Sequence, residues 1–106
     1  MTDGIRALLG ELKRGLEQIY GARLRGVYLY GSRARGEERE DSDVDILIVL
    51  DRIDSYGTEI ERTGYLVSDR SLDYGVSVSR VFVAEAEWRS VDSPFLENVR
   101  EEAIAA

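Results

Sequence analysis

Two aspartates lie two residues apart at the start of an apolar run. Asp43 and Asp45 lead into Val44–Leu50, which reads VDILIVL and is apolar apart from Asp45. Such a run is typical of a central strand that is covered on both faces. Alternate residues of a strand point to the same side, so the two carboxylates are predicted to project together. Paired carboxylates at this spacing suit one or two Mg²⁺ or Mn²⁺ ions that also hold a triphosphate.

A glycine and a serine follow an earlier strand-like run. Residues 24–30 are rich in β-branched, aliphatic and aromatic side chains and stop at Gly31. Glycine permits a tight turn and lets a ligand approach the backbone closely. Ser32 adds a hydroxyl, and a short helix that starts there would favour an anion such as a phosphate. Arg33 and Arg35 place positive charge beside it and are candidate phosphate contacts.

This arrangement resembles the minimal nucleotidyltransferase family, part of the polymerase-β-like superfamily. The family pattern is Gly-Ser, ten residues, then Asp-x-Asp, which here corresponds to residues 31–32, 33–42 and 43–45. The fuller pattern also matches, as GSRARG at residues 31–36 and DSDVD at residues 41–45. Either half alone would mean little, but the two at this spacing, between two strand-like runs, form a specific signal.

The resemblance implies a fold, an activity and roles for the motif residues. The implied fold is α/β (α+β), a small mixed β-sheet with flanking helices, in a single domain over residues 1–106. The implied reaction transfers a nucleotide, usually AMP from ATP, to a hydroxyl and releases pyrophosphate. In that reaction Asp43 and Asp45 would bind the metal and act as the catalytic residues, while Gly31 and Ser32 would hold the triphosphate.

The sequence departs from the family at a third carboxylate. Active members of the superfamily carry an acid on the strand beside the Asp-x-Asp strand. Here that strand is predicted at residues 76–83, and Ser77 stands where the acid is expected. Asp73 comes before the strand and Glu85 after it, so either would need a bend in the chain to reach the site. Nucleotide binding is therefore expected, whereas catalysis stays open.

Two functions of different classes follow from the resemblance. Small stand-alone members resemble the antitoxin half of HEPN/MNT toxin–antitoxin pairs, which can adenylylate a tyrosine on the helical HEPN toxin. The alternative is a catalytically impaired antitoxin that neutralises a HEPN partner by binding it, and Ser77 favours this alternative. A small-molecule acceptor is less favoured, because such enzymes usually need extra residues to build an acceptor pocket.

Composition restricts the chemistry and the partners. The chain has neither histidine nor cysteine, so a general base must be a carboxylate and a metal must be held by oxygen ligands. The net charge is −7 without a basic stripe, which argues against a DNA substrate. No apolar run approaches a membrane span and the N-terminus is polar, so we expect a cytoplasmic protein. The oligomeric state is left open, with a homo-oligomer among the options.

The predicted elements alternate between helices and strands and place both motifs at strand ends. The first helix is expected to use Asp3 as its N-cap, and the last to use Ser93 and to extend its apolar side to Ile104. In order, the predicted elements are helix 4–20, strand 24–30, short helix 32–36, strand 44–50, helix 56–74, strand 76–83, helical turn 85–89 and helix 94–104.

Overall fold

A four-stranded mixed sheet forms the centre of the fold. The structure is a computed structural model that describes residues 1–90 and 93–106. Its strands are β1 (Leu24–Tyr30), β2 (Val44–Leu50), β3 (Val78–Ala84) and β4 (Ile104–Ala105), in the spatial order β3-β2-β1-β4. Strand β2 runs parallel to β3 and antiparallel to β1, and β4 pairs antiparallel with β1. The sheet is therefore mixed, as predicted.

Helices cover both faces of this sheet. They are α1 (Asp3–Tyr20), α2 (Ser32–Arg35), α3 (Tyr56–Tyr74), α4 (Glu85–Arg89) and α5 (Pro94–Glu102), with a 3₁₀ turn at Gly21–Arg23. Apolar residues of α1 and α3 pack on one face of the sheet, and those of α4 and α5 pack on the other. The fold thus has three layers, which confirms the predicted small mixed sheet with flanking helices. No helix in the two described ranges is long and apolar enough to cross a membrane.

Strand β2 is buried on both of its faces. Its apolar side chains alternate between the two layers: four pack toward α1 and α3, and two pack toward α5. In that order they are Val44, Ile46, Ile48 and Leu50, then Leu47 and Val49. This confirms the prediction of a doubly covered central strand. Because its packing fixes β2, the side chain of Asp45 is held on the α5 side of the sheet.

The structure corrects two predicted element boundaries. The N-cap of α1 is Thr2 rather than Asp3, because the Thr2 hydroxyl accepts a hydrogen bond from the Ile5 amide at 3.2 Å. Strand β3 begins at Val78 rather than at residue 76. The reason is the end of α3, where Gly75 is left-handed at φ 64° and the Val76 amide still donates to the Ser71 carbonyl.

The C-terminal segment also differs from the prediction. Helix α5 ends at Glu102, so Ile104 does not extend its apolar side. Instead Ile104 and Ala105 form β4 at the edge of the sheet, and the Ala106 amide donates to the Val27 carbonyl at 2.9 Å. A strand of two residues is too short to show a periodic pattern. Its partner β1 is also distant in sequence, so no local signal predicts the pairing.

Truncation of a β2 side chain tests the central role of this strand. Leu47 is fully buried, so Leu47→Ala is expected to lower the free energy of unfolding by about 2–5 kcal/mol. Leu72→Ala is the control, because Leu72 is 79% exposed and its loss should change stability by less than about 0.5 kcal/mol. Urea unfolding of the two variants measures the difference. Equal losses would contradict the buried position of Leu47.

Candidate active site

The two sequence motifs meet where β1 ends and β2 begins. Tyr30, the last residue of β1, pairs directly with Asp45. Gly31 follows at φ 78° and ψ −158°, a region that is essentially restricted to glycine. A Cβ atom at Gly31 would overlap the carboxylate of Asp45. The backbone of the Gly-Ser turn therefore lies directly against one of the two paired carboxylates.

Asp43 and Asp45 interact electrostatically but differ in environment. Asp43 is exposed and comes just before the strand, whereas Asp45 is half-buried within it. Burial, followed by the negative charge of Asp43, raises the pKa of Asp45. A carboxylate that is disfavoured in its charged form gains from a nearby cation.

This pair fits a hard divalent cation that takes oxygen ligands. Asp43 and Asp45 are the residues that would hold it. Across residues 1–90 and 93–106, no group of three His, Cys, Asp or Glu side chains has a geometry that holds a metal ion. A cation at this pair would therefore draw its remaining ligands from a bound molecule and from water.

The neighbouring strand supplies hydroxyls rather than a third acid. In the register of β2 and β3, Asp45 pairs with Ser79. Ser77, predicted at the position of the third acid, precedes β3, and its carbonyl accepts a hydrogen bond from the Val44 amide at 2.8 Å. In the observed register the residue beside Asp45 is therefore Ser79 rather than Ser77.

The two other acids that sequence analysis considered form ion pairs with arginines. Asp73 lies in α3 and forms an ion pair with Arg70 at 2.6 Å. Glu85 begins α4 and pairs with Arg25 at 3.7 Å and with Arg89 at 3.2 Å. The structure therefore does not bring either residue together with Asp43 and Asp45.

Arg33 is buried and contacts the backbone that leads into the paired aspartates. Its Nε and Nη2 atoms both donate to the Ser42 carbonyl, at 3.1 and 2.7 Å. Since Ser42 directly precedes Asp43, this double hydrogen bond fixes where the Asp-x-Asp segment begins. Sequence analysis treated Arg33 as a phosphate contact, but its observed contacts are those of a residue that positions the loop.

Arg35 is more accessible and contacts a carboxylate that sequence analysis missed. Its Nη1 atom donates to Oε2 of Glu102 at 2.8 Å, and its Nε atom donates to Glu37 at 3.2 Å. Oε1 of Glu102 accepts a hydrogen bond from the Gly31 amide at 3.1 Å. The contact with Arg35 is the main cause that lowers the pKa of Glu102. No local pattern signals this contact, because Glu102 lies 71 positions after Gly31.

A cavity of about 530 Å³ opens beside the same turn. Its walls include Tyr30 and Phe95, whose rings pack edge to face at 5.8 Å between centroids. Gly31, Arg35 and Glu102 also line it. The candidate site thus has an open volume on the side of the sheet that α5 covers.

Comparison with known families and sequences gives consistent matches. The sequence model of the nucleotidyltransferase domain family matches residues 9–103. The chain is 33% identical over 93 residues to MJ0604 of Methanocaldococcus jannaschii, a candidate protein adenylyltransferase, with 87% of each chain covered. It is 44% identical over 64 residues to the protein adenylyltransferase MntA of Thermococcus cleftensis, which covers 60% of this chain and 63% of that protein.

Solved structures show the same fold. A candidate minimal nucleotidyltransferase superposes with a TM-score of 0.65 at 28% identity and covers 94% of this chain and 90% of its own. A toxin–antitoxin crystal structure with AMP-PNP superposes with a TM-score of 0.62 at 22% identity, over 89% of this chain and 68% of that one. At this identity, the similarity to the toxin–antitoxin structure is one of fold.

Two glycine substitutions test the close approach of the turn to Asp45. Gly36 has φ 74° and open space around it, so Gly36→Ala should cost about 1–2 kcal/mol for the left-handed backbone alone. Gly31→Ala should cost about 1–3 kcal/mol more, because its Cβ overlaps the Asp45 carboxylate and its backbone lies in a region restricted to glycine. Urea unfolding of both variants gives the difference, and equal losses would contradict the close packing.

Proposed function

The chain belongs to the nucleotidyltransferase domain family, and from this premise we propose that it transfers AMP from ATP to a hydroxyl group of a partner protein. The observation that carries the proposal is the meeting of the two motifs. Asp43 directly precedes β2 and its charge acts on Asp45 within the strand, and the Gly31 turn packs directly against Asp45. The carboxylates proposed for a metal and the backbone turn proposed for phosphate thus lie side by side.

In this proposal each motif residue has a distinct task. Asp43 and Asp45 hold Mg²⁺ or Mn²⁺, which when bound neutralises phosphate charge and stabilises the charge that develops in the transition state. Gly31 lets the phosphates approach the backbone, and the Ser32 hydroxyl contacts them. Arg35 is the accessible guanidinium for the same phosphates.

Arg33 acts on the site through the backbone. Its two hydrogen bonds to the Ser42 carbonyl set the start of the Asp-x-Asp segment. When a group is held in place before the reaction, the entropy cost of ordering it is not part of the activation barrier. This positioning is a major source of catalytic rate. Arg33 is therefore a positioning residue in this proposal.

The nature of the relatives supports ATP and a protein acceptor. Two relatives are named as protein adenylyltransferases, and a structure with the same fold is a toxin–antitoxin complex with AMP-PNP. We propose that the acceptor is a tyrosine of a helical HEPN-type partner, presented in trans. The acidic surface and the absence of a basic stripe fit a protein substrate better than DNA.

The position beside Asp45 supports a second candidate function. Ser79 pairs with Asp45 at the place where a third acid would complete the metal site, and a neutral hydroxyl is a poor metal ligand and a poor base. In this alternative the domain is a catalytically impaired antitoxin that neutralises its HEPN partner by binding alone. Retention of both aspartates favours the enzyme.

A transfer assay separates the two candidates. Labelled AMP from α-labelled ATP should appear on a HEPN partner with Mg²⁺ present, and pyrophosphate should be released in equal amount. Asp43→Asn and Asp45→Asn should each reduce transfer by at least about a hundredfold, the scale of one lost electrostatic stabiliser. Glu40→Gln is the matched control, because it removes the same charge from an exposed position in the same loop, outside the DSDVD match.

The outcome assigns one of the two functions. Transfer that depends on both aspartates and survives Glu40→Gln supports the enzyme. A stable complex with the partner and no transfer would overturn the enzyme and support the binding protein. Transfer that persists in Asp43→Asn and Asp45→Asn would show that the reaction does not use this site.

A further inference from the structure

The end of α5 places a carboxylate on the groups that the proposed function assigns to phosphate. Glu102 accepts hydrogen bonds from the Gly31 amide at 3.1 Å and from Arg35 at 2.8 Å. We propose that Glu102 is an internal anion that occupies the phosphate-binding groups and that a nucleotide has to displace it. This inference rests on the proposed function, since it concerns the same site.

The contacts of Glu102 are those that a phosphate oxygen would make. A backbone amide and a guanidinium are common donors to phosphate, and both also bind carboxylates through charge-assisted hydrogen bonds. Here the two donors come from different elements, the turn after β1 and the end of α2, and one carboxylate bridges them. A phosphate and Glu102 therefore compete for the same donors.

The negative charge of Glu102 also opposes the binding of a triphosphate. Glu102 is held in its ionised form, because Arg35 lowers its pKa. A triphosphate that approaches Gly31 meets this negative charge in addition to those of Asp43 and Asp45. Displacement of Glu102 both frees the two donors and moves one negative charge away from the phosphates.

The structure has room for the displaced side chain. The cavity of about 530 Å³ beside the turn has Glu102 in its wall, together with Tyr30, Phe95 and Asn98. In this proposal, rotation about the side-chain bonds of Glu102 moves the carboxylate into this volume. Glu102 thus weakens nucleotide binding, because it must be displaced first, but it does not block the site.

A calorimetric titration with two ligands tests this role. Mg²⁺·ATP and inorganic tripolyphosphate are titrated into the wild type, Glu102→Gln and Glu101→Gln. Glu102→Gln keeps the shape of the side chain and removes its charge, so its Kd should fall about three- to tenfold. Glu101→Gln removes the same charge from the same turn of α5 and leaves the Glu102 contacts intact, so its Kd should stay within about twofold.

Each outcome separates this inference from the proposed function. Binding of ATP that is equal or weaker in Glu102→Gln would overturn the inference and leave nucleotide binding in place; weaker binding would instead make Glu102 a ligand of the bound complex. Tighter binding of tripolyphosphate without any binding of ATP would support the internal anion and overturn ATP as substrate. No binding of either ligand by any variant would overturn both.

A second variant guards against a folding effect. Glu102→Ala removes both hydrogen bonds and should tighten binding in the same direction as Glu102→Gln. Circular dichroism before each titration shows whether the variants keep the wild-type helix content. A folded Glu102→Ala that binds no tighter than the wild type would also overturn the inference.

Discussion

The burial of β2 between two helical layers is the constraint on which the site depends. Its apolar residues pack alternately against α1 and α3 and against α5, so the strand cannot shift along its length without exposing them. Asp45 belongs to this strand and is therefore held half-buried beside the Gly31 turn. The apolar packing of β2 offsets the cost of keeping a carboxylate in a place where its charged form is disfavoured.

Near the start of this strand, two arginines form hydrogen bonds that position the site. Arg33 binds the Ser42 carbonyl and sets the loop, while Arg35 and Glu102 bind each other across the turn. Beside them, burial and then the negative charge of Asp43 raise the pKa of Asp45. A cation and a triphosphate together would complement the site. The cation would offset the negative charge of the two aspartates, and the triphosphate could replace Glu102 at its hydrogen-bond donors.

The elements that sequence analysis predicted correctly are those with strong local signals. The apolar run of β2 and the stop at Gly31 follow from residue type, and the spacing of the Gly-Ser and Asp-x-Asp motifs brings them to adjacent strand ends. The features that sequence analysis missed depend on distant contacts. Glu102 reaches Gly31 through the packing of α5, and Ser79 lies beside Asp45 through the register between β2 and β3.

Paramagnetic line broadening by Mn²⁺ in the presence of ATP tests most directly whether metal and nucleotide bind where the two motifs meet. In a spectrum of backbone amides, the resonances of Gly31, Asp43 and Asp45 are expected to broaden first. Tyr65 and Leu72 are exposed on α3, which covers the opposite face of the sheet, and their resonances should stay sharp at the same Mn²⁺ concentration. Broadening that spreads over acidic surface residues and spares Gly31 would contradict the assignment of this site.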